Sequence, residues 1–156
     1  MRPPAPASSA SLSPAAPPLH ERLAELGRRI GGREAPHRRA LEEARRRAEE
    51  LHARVAAALD AFHAGVSDAG GERLRIELSP VRGDDKHVRA VEFDLRRGRY
   101  QAIVTVKSRG EVMLVGPFKA GGTEGPCATF PFDAEHELEA SLATFLERFL
   151  EEGATP

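Results

Sequence analysis

The sequence predicts an α+β fold: a long N-terminal helix, a four-stranded antiparallel meander and a C-terminal amphipathic helix packed on the sheet. Two periodicities predict it. Apolar residues recur at every third or fourth position over residues 19–30, 41–62 and 138–150, which is the pattern of amphipathic helices. Between these segments, residues 74–118 hold four runs in which apolar and polar residues alternate, as in strands with one buried face.

The first 18 residues predict a disordered tail. They are rich in Pro, Ala and Ser and carry one charged side chain. Such a segment cannot bury enough apolar surface to offset the entropy of ordering it. We expect the same of residues 153–156, so that the folded chain consists of a helical segment, 19–65, and a sheet with its closing helix, 66–152.

Within residues 19–65 the pattern predicts two helices. The apolar side chains of the first follow spacings of 4, 3 and 4: Leu19, Leu23, Leu26 and Ile30. Gly31 and Gly32 are weak helix formers and predict a break. Pro36 suits the first turn of a second helix, where its missing N–H is not needed, and this helix is expected to reach about Ala64.

The second helix carries a heptad seam, which consists of Leu41, Ala44, Ala48, Leu51, Val55, Ala58 and Phe62. One interpretation is a coiled coil with another chain, in which Leu41 and Leu51 are candidate protein contacts. The other is packing within the chain, on its own sheet or on helix 19–30. The sequence leaves both open, because a seam with Ala at half of its inner positions suits close helix packing of either kind.

The predicted turns set the register of the strands. Gly98 and Gly110 stand where tight hairpins need positive φ. A turn centred on Arg109 places Ile103 opposite Val115 and Thr105 opposite Met113, and the preceding turn is expected to place Ile103 opposite Glu92. The face away from the main core then carries an apolar patch, with Ile103, Met113 and Val115 as candidate protein contacts. Either the long helix or a partner protein would cover it.

The basic turn around Gly98 is a candidate anion contact through Arg96, Arg97 and Arg99. A solvated turn with edge charges is the other interpretation. A nucleic-acid platform would need several exposed aromatic side chains, whereas the chain has no Trp and one Tyr. Nucleic acid is therefore not expected as a partner.

The Gly/Pro-rich loop over residues 119–132 is a candidate small-molecule or enzyme site. Its candidate residues are Thr123, Glu124, Cys127 and His136, with Cys127 as a nucleophile and His136 as its base. A lone cysteine is more often a small buried filler. The loop lacks the Gly-Lys-Ser/Thr ending of a phosphate loop, and acidic residues open the helix that follows it.

The sequence predicts no cofactor, no metal site and no membrane partner. The six His are scattered, the single Cys excludes an internal disulfide, and no run approaches the roughly 18 apolar residues of a membrane span. With no signal-peptide pattern at the start, we expect a cytoplasmic protein. The pattern favours a non-enzymatic interaction module, whether adaptor, chaperone-like or regulatory, that binds itself or another protein.

Overall fold

The computed structural model describes residues 1–4, 15–84, 87–121 and 125–154. It confirms the α+β fold: helix α1, Leu19–Asp68, precedes an antiparallel sheet, and helix α2, Glu135–Ala154, follows it. The strands are β1 (Glu77–Leu78), β2 (Arg82–Asp84), β3 (His87–Arg97), β4 (Tyr100–Lys107), β5 (Glu111–Lys119) and β6 (Cys127–Pro131). The sheet order is β1-β3-β4-β5-β6, and β2 also pairs with β3.

The sheet has six strands rather than the four that the sequence predicts. β2 is a three-residue strand in a polar turn, too short to show alternation. β6 lies within the segment predicted as a Gly/Pro-rich loop and pairs along β5, with Thr129 opposite Met113. The predicted first strand is reduced to the two residues of β1.

Helix α1 is continuous, so the break predicted at Gly31 and Gly32 is wrong. Pro36 stands inside the helix rather than in its first turn. The prediction failed because it followed intrinsic propensity: each glycine weakens a helix by about 1 kcal/mol and an interior proline by about 3 kcal/mol. By its internal contacts the chain divides into two compact units, Met1–Pro36 and His37–Pro156, and each is described separately.

In the unit His37–Pro156 both helices contribute to one core. The buried residues of α1 are Ala44, Ala48, Leu51, Val55 and Leu59, and those of α2 include Leu138, Leu142, Phe145 and Phe149. They form a single cluster with the inward side chains of β3, β4 and β5, among them Phe93, Val104 and Leu114. The buried part of the long helix therefore packs with α2 on the inner face of the sheet.

Two histidines of α1 attach the helix to the start of the sheet. His52 donates to the backbone carbonyl of Ser79 at 2.9 Å, and its ring meets that of Phe93 edge-on, with centroids 5.2 Å apart. The backbone N–H of Ile76 donates to Nε2 of His63 at 3.0 Å. These bonds give partners to backbone groups of the segment that leads into β1 and β2.

The hairpin registers are largely as expected. Gly98 and Gly110 have φ values of 58° and 101°, the left-handed conformation that these turns need. Ile103 lies opposite Val115, which confirms the register of the second hairpin. In the first hairpin, however, Ile103 pairs with Asp94 rather than with Glu92. The difference is two residues, so the side chains keep their predicted face.

At the chain ends, the structure and the expectation differ in part. Residues 1–4 and 15–18 form no helix or strand, whereas residues 5–14 lie outside the described part of the chain. Gly153 and Ala154, expected in a disordered end, belong to α2. Gly153 is buried, and its carbonyl accepts a hydrogen bond from Nη1 of Arg97.

Candidate functional site

The first half of α1 presents an unpartnered apolar stripe, defined by Leu19, Leu23, Leu26 and Ile30. Their exposed fractions are 70%, 56%, 39% and 43%. All residues from 19 to 34 are exposed, so the whole circumference of this part of the helix faces solvent. Large apolar side chains at helical spacing on an otherwise polar helix indicate a surface that another element covers.

The heptad seam further along α1 is placed differently. Leu51 is 5% exposed and belongs to the core, and Leu41 is half-buried against the same core. Ala44 and Ala48 are fully buried, while Ala58 is exposed. This part of the seam is therefore used mainly within the chain, and the apolar stripe is the part of α1 that remains open.

The outer face of the sheet carries the three other candidate protein contacts. Ile103, Met113 and Val115 are each half-buried and lie outside the core cluster. Ile103 pairs with Val115 across β4 and β5, and Met113 pairs with Thr105 and Thr129 on its two sides. The structure thus brings these side chains together on neighbouring strands, on the face opposite the core cluster.

A buried aspartate lies beside this patch. The side chain of Asp94 is 2% exposed, although alternation in β3 assigns it to the wet face. Its Oδ2 accepts hydrogen bonds from Nε of Arg96 at 3.0 Å, from Nε2 of Gln101 at 2.9 Å and from Nη2 of Arg82 at 3.3 Å. Nη2 of Arg96 lies 2.9 Å from the same oxygen, as an ion pair. Glu92 receives the same Arg82 guanidinium at 3.1 Å. We call these five residues the Asp94 cluster.

Opposing forces act on the two carboxylates of the Asp94 cluster. Burial by itself raises the pKa of Asp94, but hydrogen bonds from Ser79, Arg82, Arg96 and Gln101 outweigh it and hold the pKa below its usual value. For Glu92, burial is the larger effect and raises the pKa despite the attraction of Arg82. The cluster is a satisfied network that orders the outer face, since its polar groups are occupied by one another.

The basic turn is largely committed to structure. Arg96 binds Asp94, and Arg97 binds the last turn of α2 through the carbonyl of Gly153. Arg99 is exposed. A binding site for anions would need several cationic side chains that are not already bound to other groups. Of the three candidates, only Arg99 makes no ion pair or hydrogen bond through its guanidinium within the described residues.

The candidate loop site is only partly described, because Thr123 and Glu124 lie outside the described residues. Cys127 is an exposed free thiol at the start of the edge strand β6, and His136 is exposed in the first turn of α2. A cavity of about 330 Å³ between β6 and α2 is lined by Cys127 with Ser141, but His136 is not among its lining residues. The structure places Cys127 and His136 in no hydrogen bond with each other.

Sequence reasoning missed the Asp94 cluster. Arg82 lies in a stretch that reads as a polar turn, and Asp94 occupies an outward position of an alternating strand. The sequence feature that could have located part of the cluster is the register of the first hairpin. Pairing Arg97 with Tyr100 places Gln101 diagonally across from Asp94 on the same face of the sheet. Only the short strand β2, which pairs Arg82 with Glu92, completes the cluster.

Comparisons with known proteins add no family. No protein-family model matches the chain, no curated protein matches it, and no solved structure matches it. Among residues 1–4, 15–84, 87–121 and 125–154, no group of three or more His, Cys, Asp or Glu could hold a metal ion. Within the same residues, neither helix is long and apolar enough to cross a membrane.

Proposed function

We propose that this protein is a non-enzymatic interaction module that self-associates as a parallel homodimer through the apolar stripe of α1. The observation that carries the proposal is the exposure of all four stripe residues, Leu19, Leu23, Leu26 and Ile30. The proposal includes a cytoplasmic location, and it takes a second copy of the chain, rather than nucleic acid or a membrane, as the partner.

The spacing of the stripe supports a coiled coil. Steps of 4, 3 and 4 allow one heptad assignment, with Leu19 and Leu26 at d and Leu23 and Ile30 at a. A β-branched residue at a with Leu at d favours two parallel strands. Both a and d positions repeat without a polar interruption from residue 19 to residue 30.

Charges beside the stripe support the parallel orientation. With this assignment, Arg29 occupies a g position and Glu34 the e position five residues later. In a parallel dimer Arg29 of one copy faces Glu34 of the other, which is the attractive g–e pairing. An antiparallel dimer would instead bring Arg22 of one copy towards Arg29 of the other, which is repulsive.

The composition of this helical segment also favours a partner. Gly27, Gly31 and Gly32 each weaken an exposed helix by about 1 kcal/mol, and isolated helices of this length are marginal even without such residues. Because residues 19–34 are exposed throughout, the described residues of this unit, 1–4 and 15–36, supply no packing that would offset that loss. A second copy that covers the stripe would supply the missing apolar contact.

The expected dimer is weak. The exposed fractions of the four stripe residues add up to about the surface of two fully exposed apolar side chains per chain. At about 2 kcal/mol for each fully buried side chain, two copies gain about 8 kcal/mol. Lost translational and rotational freedom opposes this by at least about 4 kcal/mol. At most about 4 kcal/mol of net stabilisation remains, so we expect a dissociation constant of about 1 mM or weaker, and a fraction of dimer that rises with protein concentration.

Sedimentation equilibrium over a concentration series, from about 10 μM to 2 mM, tests the proposal. The wild-type chain is expected to shift from monomer to dimer, and Leu26→Asp is expected to remain monomeric because it places a charge at a central d position. The matched control is Ala24→Asp, which introduces the same charge at the b position, away from the seam.

Charge exchange tests the orientation. Arg29→Glu is expected to weaken the dimer, and the double variant Arg29→Glu/Glu34→Arg to restore it, because the facing pair regains opposite signs. A wild-type chain that stays monomeric throughout the series would overturn the proposal. Equal effects of Leu26→Asp and Ala24→Asp would show that the stripe is not the interface.

A further inference from the structure

A second cavity lies at the hairpin end of the sheet, within the unit His37–Pro156. Its volume is about 590 Å³, and its lining comes from α1, β3, β4, β5 and the β4–β5 turn. The rim is fixed by the backbone, because the N–H of Ser108 donates to the carbonyl of Arg89 at 2.8 Å. The cavity is separate from the apolar stripe and from the Asp94 cluster.

The described lining carries more cationic than acidic side chains. Arg89 and Lys107 line the cavity, and neither makes an ion pair within the described part of the chain. Arg109 also lines it but is bound to Glu111 at 2.7 Å. The acidic lining residue, Asp84, already takes part in an interaction. Arg89 and Lys107 together give this concave surface an excess of positive charge over Asp84, which favours an anion.

A threonine hydroxyl adds a hydrogen-bonding group to the lining. Thr105 lines the cavity and is 5% exposed. Its hydroxyl makes no hydrogen bond within the described residues and keeps some contact with solvent. An oxygen of a bound anion would accept a hydrogen bond from Thr105 while the neighbouring cations balance its charge.

Besides His37 and Ser108, the rest of the lining is apolar. Ala40 and Ala90 contribute small side chains, and Ala90 is almost fully buried. Met113 lies across from Thr105 and adds a flexible thioether side chain that adapts to irregular ligands. A bare inorganic ion would leave this apolar part of the cavity unused.

We propose that this cavity binds a small organic anion: a carboxylate or phosphate group carried by a short apolar chain. Arg89 and Lys107 hold the charged group, and Arg89 offers the two-pronged geometry that both kinds of oxyanion accept. Thr105 orients one of its oxygens. Met113 and the two alanines receive the apolar chain. The site does not depend on the proposed dimer.

Titration calorimetry with the full chain tests the site, using acetate, hexanoate, monohexyl phosphate, inorganic phosphate and hexanol as probes. Hexanoate or monohexyl phosphate is expected to bind at least tenfold more tightly than acetate or inorganic phosphate, since each buried methylene adds to affinity. The comparison of the two hexyl compounds shows which oxyanion is preferred. Hexanol is expected not to bind.

Single variants then assign the roles. Arg89→Gln and Lys107→Gln are each expected to weaken binding about tenfold or more, because each removes a charge-assisted bond. Arg99→Gln removes the same charge from an exposed site outside the cavity and is the matched control. Thr105→Val, nearly equal in shape, is expected to weaken binding without changing the thermal unfolding midpoint by more than a few degrees.

Three results would overturn the proposal: no heat from any probe at millimolar concentration, equal affinity for hexanol and hexanoate, or equal losses in Arg89→Gln and Arg99→Gln. Leu26→Asp separates this proposal from the homodimer. The variant is expected to lose self-association and keep ligand binding, so the failure of one proposal is distinguishable from the failure of the other.

Discussion

Replacing the buried aspartate of the outer face has a calculable effect on stability. Asp94→Asn keeps the shape of the side chain but removes the negative charge to which the guanidinium groups of Arg82 and Arg96 donate hydrogen bonds. Hydrogen bonds to charged groups contribute about 1.5–3 kcal/mol each. Both guanidinium groups are more than a third exposed and can be rehydrated, which roughly halves the loss. We expect the variant to be about 1.5–3 kcal/mol less stable at pH 7.

The lowered pKa of Asp94 determines how the loss of stability in Asp94→Asn changes with pH. The pKa of Asp94 is lowered in the folded protein, so its ionised form favours folding. That contribution is complete above the unfolded pKa of about 3.9 and is lost as pH falls through the folded pKa. The difference in the free energy of unfolding between wild type and Asp94→Asn should therefore be largest near neutral pH and shrink as the pH falls below about 4.

Urea denaturation followed by circular dichroism, at a series of pH values from 7 to 2.5, measures this difference. The control is Glu111→Gln, which makes the same acid-to-amide change in the exposed pair with Arg109 and should alter stability by less than about 1 kcal/mol. A pH-independent difference for Asp94→Asn would refute the electrostatic reasoning, because packing defects do not titrate. A loss no larger than that of Glu111→Gln would refute the importance of the cluster.

Two further predictions concern stability. Burial raises the pKa of Glu92, so its ionised form disfavours folding. Glu92→Gln should therefore raise the urea midpoint of unfolding at pH 7, and this gain in stability should disappear below about pH 4. A lower urea midpoint for the variant at pH 7 would contradict the prediction. Leu59→Ala, at a site 4% exposed, should destabilise the protein by about 2–5 kcal/mol, whereas Leu19→Ala, at a site 70% exposed, should leave unfolding of the monomer unchanged. If Leu59→Ala and Leu19→Ala lowered the free energy of unfolding equally, measured by heat or urea at low protein concentration, the assigned burial would be contradicted.

The strands that the sequence predicted well are those with tight turns between them. Two-residue alternation identified β3, β4 and β5, and Gly110 fixed the pairing of Ile103 with Val115. The first hairpin was displaced by two residues because a turn rich in Arg gives less indication of its centre than one flanked by apolar strands. The displacement preserved the faces, so the outer patch was still located.

The remaining features depend on contacts that lie outside any local pattern. β6 is five residues long and surrounded by Gly and Pro, which predict a loop, yet β5 supplies its hydrogen-bonding partner. The continuity of α1 through Gly31 and Gly32 runs against intrinsic propensity, which is a weak prior. Cavities and the bonds of Asp94 join residues from several elements and need the assembled sheet.

The order of the strands bears on how the chain folds. β2, β3, β4 and β5 each pair with the next strand in the chain, and among the described strands only β1 reaches past a neighbour, to β3. Pairing of adjacent strands closes short loops, so the mean sequence separation of sheet contacts is small and the search for the native topology is brief. The long-distance step is the docking of α1, which precedes the sheet, against α2, which follows it. We therefore expect the sheet to form early, and core contacts of α1, such as that of Val55, to govern the rate of unfolding more than the rate of folding.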